Sequence, residues 1–197
     1  MPEAAPSGAR VRGVQRWRAD DARVRSLRRA LLTRFCGRLG TDPLALADER
    51  FLAAADRFVI LRAIVVAALV VGGADRCALQ VYDPQTRSLR IVQQQGLSTQ
   101  FVDYFATVDA GGPSAAATVV ASGRPVLVDD VTRSPIFAGQ RSLEKLLAAG
   151  TRALRMYPLH NDDRLLGVLS FHYSSPGPHP GNPGLVAYGA GTALAHA

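Results

Sequence analysis

Cysteine is almost absent from this chain. Cys36 and Cys77 are the only two in 197 residues, so no disulfide framework is implied. There is no CxxC, no HExxH and no Cys/His cluster at metal-ligand spacing, and no metal or cofactor is assigned. A nucleophile paired with a base, or an acid paired with a base, is also missing, and catalysis is not expected. The adjacent carboxylates Asp162-Asp163 fall in a predicted turn and read as solvated. Met1–Arg10 lacks the apolar core of a secretory signal. Long apolar runs are scarce too. Ala63–Val71 is nine residues bounded by Arg62 and Gly72-Gly73, well short of the ~20 a membrane helix needs. It reads as a buried helix, and the expected location is the cytoplasm with no membrane contact.

What is present is ample apolar material, 48% of residues, enough for a packed core in one or two domains. The net charge of +7 is unevenly placed. Residues 1–40 hold ten Arg against three acids, whereas residues 41–197 hold 13 basic and 13 acidic side chains. The body is therefore neutral, which argues against a broad nucleic-acid surface. The basic arm suits nucleic acid, anionic lipid or an acidic partner. The frequent Ala, and Arg in place of Lys, suggest a GC-rich bacterial genome.

Residues 1–18 are rich in Pro, Gly, Ser and Arg and are expected to be disordered. A helix is expected from Asp20 to about residue 36, with Val24, Leu27, Leu31 and Phe35 on one stripe and Arg25, Arg28, Arg29 and Arg34 around the rest. Those arginines are read either as an anion-binding arm or as the solvated side of a packing helix. Only Trp17 supplies an aromatic platform beside them. Asp42-Pro43 opens a helix expected to run over residues 43–71 and to be buried in its second half. Cys77–Gln95 follows as a hairpin, with apolar and polar residues alternating on either side of Asp83-Pro84.

Beyond the hairpin, short elements are well punctuated. Ser98 or Thr99 caps a helix bearing Phe101 and Phe105, and Ser114 caps Ala115–Ser122, closed by Gly123. Val126–Val128 reads as a strand ending at Asp129-Asp130. Ser142 is expected to cap Leu143–Ala149. Thr151–Leu159 and Leu165–Tyr173 form a second hairpin, and Leu185–Ala197 a last helix. Antiparallel strands with helices on the faces make an α+β fold.

The stretches LQVYDPQTRSLRIV, FVDYFATVDAGGPSA, RPVLVDDVTRSPIFAG, LLAAGTRALRMYPLH and LLGVLSFHY, in this order and spacing, resemble a GAF domain of the bacterial signalling type. The resemblance covers about half the chain, from Ala74 to Tyr173. It implies a six-stranded antiparallel sheet with helices on one face, and short helices and loops enclosing a small-molecule pocket on the other. A sensory, non-catalytic role is implied. Residues 1–40 would then be a basic arm and residues 41–197 the GAF-like domain. The chain departs from the pattern at Ser114-Ala115-Ala116-Ala117, where relatives often carry a Cys. It departs again at Met156-Tyr157, where the pair is bulkier and is expected to fill part of the pocket. At Ala197, where an output domain would begin, the chain ends, so a signal is expected to pass to a separate output protein. A homodimer through the N-terminal helices is expected.

On this resemblance the pocket candidates are Gln80, Phe101, Phe105, Asp130, Ile136, Phe137, Met156, Tyr157 and His172. Asp130 is read either as an acceptor for a ligand or as the cap of the turn that follows it. His172 suits a haem or metal by type, but no second ligand stands at useful spacing.

Overall fold

The computed structural model describes residues 42–197 together with Ala30, Arg34, Phe35 and residues 37–39. Arg25, Arg28 and Arg29, and most of the helix expected to precede residue 37, lie outside the described residues.

The expected helix over 43–71 is three pieces. A 3-10 turn, Pro43–Ala47, is followed by α1 (Glu49–Ala54) and α2 (Arg57–Val70). The breaks come from aspartates. Asp48 accepts from the backbone N–H of Arg50 and Phe51, and Asp56 from that of Val59, while Ala55 between them is extended. Each carboxylate satisfies N–H groups at the start of a new helix, which competes with continuing the old one.

Then come β1 (Arg76–Asp83), β2 (Ser88–Gln95), α3 (Thr99–Phe105), β3 (Thr107–Asp109), α4 (Ala115–Ser122), β4 (Val126–Val128), α5 (Arg141–Ala148), β5 (Ala153–Asn161), β6 (Arg164–Tyr173) and α6 (Pro183–Leu194). The strands form one antiparallel sheet in the order β3-β2-β1-β6-β5-β4. The short β3 completes the six; the residue pattern alone showed five. Ser98 and Ser114 cap α3 and α4 as expected. Ser142 does not cap α5, which starts two residues earlier than expected, at Arg141 after Gln140.

Period-two alternation divides the core between the two sheet faces. Cys77 and Leu79 of β1, with Leu169, Phe171 and Tyr173 of β6, pack under α2 and α6. Ala78, Val168, Leu154 and Met156 turn to the opposite face, under α3, α4, α5 and the loop carrying Phe137. Both faces of β1 are therefore covered, so the alternation read there as apolar against polar is one buried face against another. Gln80 is only 4% exposed.

Candidate functional site

A cavity of about 50 Å³ lies between the sheet and the short helices. Its floor is Ala78 and Gln80 of β1, Ile91 of β2, Leu154 and Met156 of β5, and Ser170 and His172 of β6. Its cover comes from α3 (Phe101, Phe105), α4 (Ala115, Ala116), α5 (Ser142, Leu146) and Phe137 of the intervening loop. No Asp, Glu, Lys or Arg lines it.

Six of the nine sequence candidates meet here: Gln80, Phe101, Phe105, Phe137, Met156 and His172. Three do not. Tyr157 follows Met156 on one strand, so its side chain points to the opposite face. There it stands edge-on to Phe171, ring centroids 5.7 Å apart. The adjacency of the two residues on a strand already excluded their sharing a face. Asp130 caps its own turn, accepting from the backbone N–H and the hydroxyl of Thr132 at 2.9 and 2.6 Å. Those bonds hold its carboxyl below the usual carboxylate range. Ile136 packs into the core beside the cavity without lining it. Ser170, Leu154 and Ala78 were missed as candidates. Counting by twos from His172 and Gln80 would have found Ser170 and Ala78.

His172 is locked into the sheet by a chain of hydrogen bonds. The Ser170 hydroxyl donates to the Ala78 carbonyl at 3.1 Å. Its oxygen is then the acceptor for His172 Nε2–H at 3.0 Å. Nδ1, left without a proton, accepts from the Thr151 hydroxyl at 3.2 Å. Both ring nitrogens are occupied in the neutral tautomer. Burial, with Arg76 nearby, pushes the imidazole pKa down to about 3. A metal or haem iron would have to break one of these bonds, so His172 is a structural node. The ring edge also stands perpendicular to Phe101, centroids 5.4 Å apart.

Gln80 differs. Its carboxamide faces the cavity and makes no hydrogen bond to any described residue. The strand is irregular at this point. A bulge interrupts the β1–β2 register between Leu79 and Gln80, a distortion that re-aims side chains. Across on β6, Gly167 lets the backbones approach so closely that an added Cβ would collide with the Gln80 carbonyl.

Cys77 lies on the other face, its Sγ 3.6 Å from the Val65 carbonyl. Burial raises its thiol pKa to about 12. Cys36 lies outside the described residues, and Arg34, alone of the four named arm arginines, is described and exposed.

A six-stranded antiparallel sheet with helices on one face and a small cavity under short helices on the other defines an α+β pocket domain. The sequence model of the GAF domain family matches residues 56–184, well over half of the chain, and the chain belongs to that family. Homologous GAF domains are sensory and regulatory domains that bind small molecules. In fold the chain is similar to the GAF domain of a phosphoenolpyruvate-protein phosphotransferase from Coxiella burnetii (18% identity, 80% of this chain and 95% of that one, TM-score 0.61). It is also similar to the phycocyanobilin-bound GAF domain of a cyanobacterial phytochrome (16%, 78% and 92%, TM-score 0.56). A third likeness is free methionine-R-sulfoxide reductase from Neisseria meningitidis, an enzyme in complex with its substrate (16%, 86% and 86%, TM-score 0.53). No curated protein sequence matches the chain significantly.

Proposed function

We propose that the chain is a non-catalytic sensory module of cytoplasmic signal transduction, with its small-molecule site in the cavity over β1, β5 and β6. It acts as a homodimer through its N-terminal helices and passes its signal to a separate output protein. The observation that carries the reading is the cavity itself, walled mostly by apolar groups and holding the Gln80 carboxamide, which bonds no described residue. Ligand sites commonly have this make-up. Two of the three serine hydroxyls lining the cavity, those of Ser114 and Ser170, are engaged within the protein, which favours binding over catalysis. Ser114 Oγ accepts from the Ala117 N–H, and the Ser170 proton is committed to Ala78. The Cys77 thiol, raised to about 12, stays protonated and on the wrong face for thiol chemistry at the cavity.

A native mass spectrum of the protein, purified gently from the cell that makes it, is the test. The expected result is a discrete added mass on each subunit. A spectrum showing chain mass alone would count against a tightly held ligand and in favour of a partner-docking module.

A further inference from the structure

We infer that the cavity takes a neutral ligand, with an apolar, ring-like body and one edge carrying both a hydrogen-bond donor and an acceptor, and that Gln80 reads that edge. This rests on the proposed reading of the cavity as a small-molecule site.

The charge argument excludes one class of ligand. None of the lining side chains carries a charge, and His172 has both nitrogens committed in its neutral form. A carboxylate or phosphate entering the cavity would lose its water and meet no cation, which is prohibitive for a buried ion. The polar argument selects within what remains. A carboxamide offers an acceptor oxygen and a donor NH₂ on one planar edge. That of Gln80 lines the cavity and bonds no described residue, so both functions are available to a ligand. A ligand with a matching amide or lactam edge would satisfy both functions at once. Phe101, Phe105 and Phe137 supply aromatic walls for the rest of the molecule.

Size adds a condition. A cavity of about 50 Å³ holds a few waters, whereas an engineered cavity of roughly 150 Å³ accommodates benzene. Ring-sized ligands must therefore displace something. Met156 on the floor has a flexible unbranched side chain that repacks readily. Phe105, half-buried at the last position of α3, is the other movable group.

The test uses three probes of similar shape: benzamide, benzoate and toluene. Binding to the full chain, to Gln80→Met and to the enlarged variants Met156→Ala and Phe105→Ala is read by saturation-transfer NMR. Benzamide should bind, benzoate should not, and Gln80→Met should weaken benzamide at least tenfold while leaving toluene unchanged. Benzoate binding as well as benzamide, or benzamide indifferent to Gln80→Met, would overturn the ligand class and leave the cavity standing as a site. If no probe binds the full chain or whichever enlarged variant keeps a cooperative melting transition, the cavity is not a binding site and both readings fall.

Discussion

His172 ties the fold to pH. In the unfolded chain its imidazole takes up a proton as the pH drops through about 6.5, whereas the folded ring stays neutral down to about 3. Between those values the unfolded state binds more protons, so stability is fully present above pH 6.5 and declines as the pH falls. From pH 7 to pH 5 the loss should be about 2 kcal/mol. The carboxylates held low by hydrogen bonds, such as Asp75, Asp83 and Asp130, are lowered from an ordinary value near 3.8, so their contribution is lost mainly below about pH 5. His172→Gln keeps a donor for Ser170 and cannot titrate. Urea denaturation at pH 5, 6 and 7 should therefore show a shallower dependence in the variant by that amount. Coincident slopes for the two proteins would remove His172 as the source.

At the scale of elements, α6 shows tertiary packing reversing a local preference. Gly191 and Gly184 are both helical, and intrinsic propensity favours alanine over glycine by about 1 kcal/mol at such positions. At Gly184 an added Cβ would meet only the Tyr157 ring, at an ordinary 3.7 Å. At Gly191 it would collide with the His160 carbonyl, because the helix lies directly against β5. That carbonyl is backbone and cannot swing aside as a side chain would. Gly184→Ala should be neutral or stabilising, and Gly191→Ala destabilising by roughly 1–3 kcal/mol, read as opposite shifts in the urea midpoint. Equal shifts would mean that α6 stands further from the sheet than these contacts indicate.

The whole molecule bears on the proposed homodimer. The apolar helical stretch within residues 43–71 is what the sequence offers for an interface, and most of its apolar surface is covered within the chain. Ile60, Leu61, Ala63, Ile64, Val65, Ala67 and Ala68 of α2 are all buried against its own sheet and neighbours. Phe58, 67% exposed on α2, is the group a second copy would cover. Light scattering behind gel filtration should give twice the chain mass, moving toward one chain mass in Phe58→Glu. A wild-type monomer at high concentration would end the dimer proposal. Among the described residues, no helix is long and apolar enough to cross a membrane.

The sequence by itself determined the hairpins, the capped short helices and the family, because each is written in short-range terms. Asp-Pro and Gly break the chain, serines cap it, and period-two alternation makes strands. The aspartates that divide residues 43–71 were equally local, but the apolar run around them masked the breaks. Only the tertiary structure decided which face each strand residue serves. Alternation puts Met156 and Tyr157 on opposite sides, yet which side holds the cavity depends on where α2, α6 and the short helices settle. The contrast between His172 and Gln80 was likewise invisible in one dimension. Both read as polar residues on neighbouring strands. Thr151 and Ser170 occupy both nitrogens of the imidazole, and nothing described bonds the carboxamide, because hydrogen-bond partners are assigned by sheet register and helix docking, which a linear pattern does not contain.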